Sequence, residues 1–177
     1  GTYEQSPIKT KFKGRLNGLG NSISNLSING RSRTLGLFTH VGATGTIASV
    51  SVTKAAIEAG QNSYAGVIAG WNSGTIFNSS AGGTLVAKAG KKYGSVIGGL
   101  VGVNTGTLNE TAAFANISVG GSNIFAIAEI GGLAGTNGGN IYMSYATGNA
   151  IAADGIGRAV SGGLVGFSGG NGNIKSI

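Results

Sequence analysis

The sequence predicts an all-β fold, a right-handed parallel β-helix (β-solenoid) with about one coil per repeat of 29 to 33 residues. Three observations predict it: a phrase that recurs five times, a composition rich in glycine and small polar residues, and short alternations of apolar residues. In the phrase, a glycine and an apolar pair precede a turn and a closing aliphatic residue, as in GGLVGVNTGTL from Gly98. A near-constant period in this range is typical of solenoids, whose units stack because one unit alone cannot bury its apolar face.

The glycine before the apolar pair sets the period. It is Gly36, Gly66, Gly99, Gly132 and Gly163 in the five repeats, with steps of 30, 33, 33 and 31 residues. We expect these glycines where the backbone turns with a positive φ or packs closely against a neighbouring coil. The closing aliphatic residue steps similarly, through Ile47, Ile76, Leu108, Ile141 and Ile174.

Composition favours β-structure over a helical or collagen-like repeat. The 177 residues include 36 glycines and one proline, 41% are hydrophobic, only 10% are charged, and helical spacing is almost absent. Glycine with serine, threonine and asparagine indicates frequent tight turns between short strands. A period near 30 has room for about three strands of four to six residues. No cysteine is present, which excludes disulfides and thiolate metal sites.

The chain is predicted to contain a basic N-terminal capping coil at 1–33 and a repeat array at 34–177. The repeats are approximately 34–63, 64–95, 96–128, 129–159 and 160–177, and the last is truncated. Since no initiating methionine, signal peptide or long apolar run occurs, we expect an excised or mature piece whose array continues beyond Ile177.

Equivalent positions in successive repeats predict columns of stacked side chains. One inward column contains Val52, Ala81, Ala113 and Ala146, and a second contains Ala56, Leu85, Ile117 and Ala150. A third set, Asn72, Asn104 and Asn137, falls at one turn position. These asparagines either form turns only, because asparagine tolerates left-handed geometry, or also stack as a hydrogen-bonded ladder.

Phrases such as GGLVGVNTGTL and NIYMSYATGNA, preceded by GLGNSISNLSI, resemble the GLUG repeats of bacterial filamentous haemagglutinin-like and autotransporter-type surface adhesins. The resemblance spans roughly residues 12–177 and implies a stalk or scaffold with no catalytic residues to transfer. The first repeat departs from the pattern at Thr39 and His40, and the third at 111–115, so we expect irregular coils or a loop there.

Catalysis is not expected, because titratable residues are scarce. Five acids occur, and only Glu58 and Asp154 share a predicted column, three coils apart. Carboxylate pairs that cleave glycosidic bonds must lie within about 10 Å of each other. The chain has a single histidine, His40, and one histidine is not enough for a zinc site. We expect His40 to be an exposed turn residue. We expect no metal and no cofactor.

Positive charge is concentrated near the N-terminus. The chain has a formal charge of +7, and residues 1–33 hold six of its twelve basic residues: Lys9, Lys11, Lys13, Arg15, Arg31 and Arg33. The first four alternate with other residues, so on a strand they would project from one face. Such a row would bind an acidic polymer or, alternatively, protect a sheet edge from pairing with another chain.

Eight aromatic residues are candidates for a sugar-stacking stripe or for packing in and over the coils. They are Tyr64, Trp71, Phe77, Tyr93, Phe125, Tyr142, Tyr145 and Phe167.

The sequence therefore predicts a structural or adhesive segment of a bacterial cell-surface or secreted repeat protein, tied to the outer membrane through a parent protein. Its expected partners are a host glycan, lipopolysaccharide or a matrix protein, with no specific nucleic acid and no transmembrane segment. Two alternatives stay open: an extracellular filament subunit that self-associates end to end, and a polysaccharide-processing β-helix enzyme.

Overall fold

The structure, a computed structural model, describes residues 1–91, 94–121 and 123–175. These residues form an all-β solenoid of about five coils, about 32 residues apart, and contain no helix. All pairs of named strands are parallel, so each coil lies on the preceding one. The predicted β-solenoid is confirmed.

Strands are numbered in chain order, coil by coil. The first coil contains β1 (Arg15–Asn17), β2 (Ser22–Ser24), β3 (Ser27–Gly30), β4 (Thr34–Leu35) and β5 (Phe38–Val41). The second contains β6 (Thr46–Ala48), β7 (Ser51–Ala59), β8 (Tyr64–Ala65) and β9 (Ala69–Asn72). The third contains β10 (Thr75–Phe77), β11 (Ser80–Lys88), β12 (Ser95–Gly98) and β13 (Val101–Asn104). The fourth contains β14 (Thr107–Asn109), β15 (Ala112–Gly120), β16 (Ile127–Gly131) and β17 (Ala134–Asn137). The fifth contains β18 (Asn140–Tyr142), β19 (Tyr145–Ala146), β20 (Ala150–Ala152), β21 (Arg158–Gly162) and β22 (Val165–Ser168), and β23 (Asn173–Lys175) begins the next.

Four parallel sheets run along the solenoid. Sheet 1 contains β1, β6, β10, β14, β18 and β23; sheet 2 contains β2, β3, β7, β11, β15, β19 and β20; sheet 3 contains β4, β8, β12, β16 and β21; sheet 4 contains β5, β9, β13, β17 and β22. A coil thus has four sides rather than about three, and its sheet 2 strand reaches nine residues in β7, β11 and β15. Both sites expected to be irregular are regular strand, since Thr39 and His40 lie in β5 and residues 112–115 lie in β15.

Aliphatic side chains fill the interior in columns. In sheet 1, Ile47, Ile76, Leu108 and Ile141 pair in register and are fully buried. In sheet 2, the predicted column Val52, Ala81, Ala113 and Ala146 is confirmed.

The second predicted column of sheet 2 names the wrong residue in the second coil, where Ile57 and not Ala56 occupies the inward position. Leu85 pairs with Ile57, which is buried, whereas Ala56 pairs with Thr84 and is exposed. The register shifts between Ala81 and Gly83, opposite an additional residue in β7, where Lys54 has a φ of 52°. Such a bulge inserts one residue into a strand and so moves every later side chain by one position.

Non-glycine residues occupy the left-handed region at the corner between sheets 1 and 2. They are Ser49, Asn78, Glu110 and Met143, with φ between 44° and 53°. Backbone hydrogen bonds join this corner from coil to coil, as from Asn78 N to Asn109 O at 3.0 Å. The corner residue thus has a similar φ in four successive coils, although serine, glutamate and methionine seldom adopt this conformation.

Four of the five period-setting glycines, Gly36, Gly66, Gly99 and Gly132, are required for space, and none of the five has a positive φ. A Cβ on Gly99 would lie 2.1 Å from Gly132 O, and a Cβ on Gly132 would lie 2.0 Å from Gly163 O. Gly36 and Gly66 are equally crowded by backbone at 2.5 and 2.4 Å. These glycines lie at the bend between sheets 3 and 4, and close approach of coils is the reason for them.

The three turn asparagines do form a ladder in the interior. Asn72 Nδ2 donates to Asn104 Oδ1 at 2.8 Å, and Asn104 Nδ2 donates to Asn137 Oδ1 at 2.7 Å. All three side chains are fully buried. Asn72 Oδ1 also accepts from Gly74 N, and Asn137 Oδ1 from Gly139 N, so each of these amides also holds the turn of its own coil.

The predicted capping segment 1–33 contributes to the sheets. Strands β1, β2 and β3 already belong to sheets 1 and 2. Residues 1–14 lie before them and make isolated parallel bridges to the first coil, Tyr3 with Ile28, Ile8 with Phe38 and Phe12 with Val41. The buried Ser6 accepts from Gly36 N at 3.2 Å. The first 14 residues thus cover one end of the core.

Gly132→Ala is expected to lower the free energy of unfolding by about 1–3 kcal/mol, because the new Cβ would lie 2.0 Å from a backbone oxygen, Gly163 O, rather than from a flexible side chain. At the equivalent Gly163 no described atom lies within 4 Å of the added Cβ, so Gly163→Ala should change stability by less than about 0.5 kcal/mol. Urea denaturation of both variants checks this. Equal losses would mean that crowding between coils is not the constraint.

Asn104→Ala is expected to cost about 1–3 kcal/mol, since it removes one partner from Asn72 and one from Asn137 inside the core. The matched control is Asn149→Ala, at an exposed asparagine between β19 and β20, which should cost less than about 0.5 kcal/mol. Denaturant unfolding followed by circular dichroism measures both. A ladder variant as stable as the control would exclude a stabilising role for the ladder.

Candidate functional site at the basic end

The predicted row of basic residues does not lie on one strand. All four side chains, Lys9, Lys11, Lys13 and Arg15, are exposed, but 9–14 forms no continuous strand and only Arg15 belongs to one, β1. Backbone carbonyls hold the segment instead, since Lys9 O and Lys13 O accept hydrogen bonds from Thr39 and Thr44. The alternating pattern therefore predicted exposure correctly and a regular strand incorrectly.

Arg33 and Tyr64 begin a cluster of aromatic and basic side chains on the outer face of sheets 3 and 4. The Arg33 guanidinium carbon lies 4.9 Å from the centroid of the Tyr64 ring, and Nη2 donates to Tyr64 Oη at 2.7 Å. A guanidinium within about 6 Å of a ring is held by a cation–π attraction. Arg33 is thus fixed at the outer edge of this cluster while staying exposed.

Trp71 is the centre of the cluster. Its ring centroid lies 5.7 Å from that of Tyr64, in an edge-on arrangement, and 6.1 Å from that of His40. Tyr64 lies on sheet 3, whereas Trp71 and His40 lie on sheet 4. The two sheets can approach because Gly70 lacks a side chain: a Cβ there would lie 2.7 Å from Leu35 N. We name Lys11, Arg33, His40, Tyr64 and Trp71 the basic–aromatic cluster.

His40 is a partly buried strand residue and not the exposed turn residue that we expected. Its Nε2 lies 3.0 Å from Ser73 Oγ, which lies 3.1 Å from Thr105 Oγ1. Thr105 Oγ1 donates its single proton to Asn72 O at 3.1 Å, so it accepts the hydrogen bond from Ser73 Oγ. The Ser73 proton is then used, and Ser73 Oγ accepts from His40 Nε2–H. The network therefore assigns the Nε2–H tautomer to neutral His40.

The electrostatic environment of His40 opposes its protonation. Burial lowers its pKa below the ordinary 6.5, and the positive charge of Lys11 lowers it further. Lys11 also lies along Gly42, where an added Cβ would come within 3.0 Å of the lysine Cε. The cluster thus holds two permanent positive charges and one neutral imidazole at neutral pH.

The remaining predicted residues lie elsewhere. Arg31 is exposed beside Gly60. The exposed N-terminal stretch contains Lys9, Lys13 and Arg15. The aromatic candidates do not form one stripe. Phe77 and Tyr142 lie on sheet 1, and Tyr145 packs on Phe114 on sheet 2. Phe167 lies in the same column of sheet 4 as Trp71, three coils further along the chain. Tyr93 lies outside the described residues. Sequence reasoning missed His40 as a cluster member.

The predicted alignment of two acids is not found. The column of Glu58 continues through Val86 and Ser118 to Ile151, so the predicted alignment with Asp154 is wrong. Glu58 accepts from Asn29 at 2.9 Å, and Glu129 accepts from Thr136. In the part of the chain that the structure describes, no group of three or more histidine or acidic side chains is arranged to hold a metal ion.

The fold and this surface define a β-solenoid repeat protein. The chain is similar to a protein named Halomucin from Haloquadratum walsbyi (strain DSM 16790 / HBSQ001), with 35% identity over an alignment of 136 residues. The alignment covers 74% of this chain and spans about 1% of the length of Halomucin. No protein-family model and no solved structure matches the chain.

His40 makes the stability of the protein depend on pH. Because its pKa is lower in the folded chain, the unfolded chain binds the proton more tightly, so stability is fully present above pH 6.5 and falls as the pH decreases below that value. Urea denaturation at about pH 5.5 and about pH 7.5 should show a larger loss for the native chain than for His40→Gln, which cannot titrate. Parallel losses in the two proteins would show that His40 does not contribute.

Proposed function

We propose that this chain is a structural and adhesive segment of a secreted or surface repeat protein, and that its basic–aromatic cluster binds acidic polysaccharides. The observation that carries the proposal is the contiguity of Lys11, His40, Trp71, Tyr64 and Arg33 on one outer face. Sulfate and carboxylate groups of a glycan would meet Lys11 and Arg33, while its ring faces would pack on the aromatic side chains. Exposed Lys9 and Lys13 add positive potential along the approach.

The solenoid supports the structural part of the proposal. Successive coils share registered sheets and one continuous core, so the segment is a rod that can display surfaces at a fixed distance from its ends. The resemblance to GLUG repeats supports the same role, and membership of that family is part of the proposal. The similarity to about 1% of the length of Halomucin, a protein whose name describes a mucin, also supports the structural role.

The proposal assigns no catalytic activity to the segment. Glu58 and Glu129 are engaged in hydrogen bonds with Asn29 and Thr136. A helix able to span a lipid bilayer is not found among the described residues. The proposal places this segment at the cell surface through a parent protein.

Binding to a sulfated polysaccharide tests the proposal, with uncharged dextran as the reference ligand. The native chain should bind the sulfated polymer with an affinity that falls steeply with salt between about 0.05 and about 0.5 M. Lys11→Gln with Arg33→Gln should weaken binding and lower the slope of log affinity against log salt by about 1 to 2.

The matched control is Lys88→Gln with Arg158→Gln, which removes the same two charge types from exposed positions outside the cluster. It should retain most of the affinity. If both double variants lose affinity equally, net charge alone explains binding and the cluster is not a site. If the native chain binds no acidic polymer, the segment is a passive spacer.

A further inference from the structure

Sheet 1 carries a second surface that the basic–aromatic cluster does not include. Its outward residues form two columns, and one of them places Phe77, Asn109 and Tyr142 on three consecutive coils. At about 4.8 Å between strands, the two aromatic residues are about 10 Å apart with the amide between them. Together with Thr75, Thr107 and Lys175, they line a groove of about 560 Å³.

An unsatisfied polar atom lies beneath the surface of this groove, on the lining residue Asn109. Asn109 Oδ1 is buried and makes no hydrogen bond, and it is the sole such side-chain atom found among the described residues. Buried polar atoms are nearly always paired, and an unpaired one costs free energy. In the interior ladder each amide lies beside another amide. Asn109 instead lies between Phe77 on the preceding coil and Tyr142 on the following coil.

The second column of sheet 1 supplies further hydrogen-bonding groups. This column lies two residues before the first one along each strand. It contains Thr75, Thr107 and Asn140, which pair in register. The hydroxyl and amide groups of that column are partly exposed. Of the residues that line the groove, only Lys175 carries a charge, so the groove suits a ligand with apolar faces and many hydroxyl groups and without a need for charge pairing.

The geometry points to a binding site for a neutral polysaccharide on sheet 1. Sugar rings lie against Phe77 and Tyr142, and their hydroxyl groups bond to Thr75, Thr107 and Asn109. Asn109 lines the groove, and a sugar hydroxyl that reaches its amide supplies the hydrogen-bond partner that Oδ1 lacks in the free protein. This site deepens the proposed adhesive function but rests on different residues and on a different ligand chemistry.

The test uses the full 177-residue chain and four neutral hexasaccharides: cellohexaose, xylohexaose, mannohexaose and chitohexaose. At least one of them should bind saturably, measured by calorimetry, and should shift the NMR signals of the Asn109 side-chain amide. Phe77→Ala and Tyr142→Ala should each weaken binding about tenfold or more, through loss of the aromatic packing surface. Tyr142→Phe, which keeps the ring, should retain binding.

Phe114→Ala is the control, since Phe114 is an exposed aromatic residue of the same solenoid on sheet 2. It should bind like the native chain, and so should the Lys11→Gln, Arg33→Gln variant, in low and high salt alike. The Asn109 signals of the native chain provide a readout that does not depend on the folding of any variant.

Absence of binding by all four hexasaccharides overturns the proposal, as does binding that survives in a folded Phe77→Ala, Tyr142→Ala double variant. Binding that salt abolishes, or that requires Lys11 and Arg33, would assign the ligand to the basic–aromatic cluster and would also overturn it. Failure of the acidic-polymer experiment alone leaves this second site standing, because the two sites share no residue.

Discussion

Parallel hydrogen bonding between successive coils is the constraint on which the rest of this structure depends. It places each residue on its equivalent one coil away, so a position that is buried once is buried in almost every coil. The bend between sheets 3 and 4 shows how little space this leaves. At Gly99 and Gly132 the neighbouring coil lies so close that not even a Cβ fits, and Gly132 O accepts a hydrogen bond from Gly99 N.

The interior tolerates some variation as long as that spacing is kept. An additional residue in β7 is absorbed as a bulge at Lys54, after which Ile57 returns to the core column beside Leu85. The asparagine ladder brings polar groups into the interior as a paired set, because Asn72 and Asn104 each donate to an amide one coil away. Stability is therefore a property of neighbouring coils together, as in other solenoids.

Outward positions are free of this constraint, and both candidate sites arise there. Trp71 on sheet 4 shares its column with Val103 and Thr136, so the basic–aromatic cluster exists only at the coils near the N-terminus. On sheet 1, one column changes from an aromatic residue to Asn109 and back within three coils. The same regular spacing that fixes the core thus sets the distances between side chains that face a ligand.

The sequence by itself determined the all-β class, the period, the first inward column of sheet 2 and the ladder position of the asparagines, because each repeats at a fixed interval along the chain. Only the tertiary structure decided what depends on contacts between distant residues. The bulge at Lys54 moved Ala56 to the surface, and close approach of coils, not a positive φ, required four of the five period-setting glycines. The basic–aromatic cluster joins Lys11 to Arg33 through residues up to 60 positions apart in the chain, a proximity that no local pattern encodes.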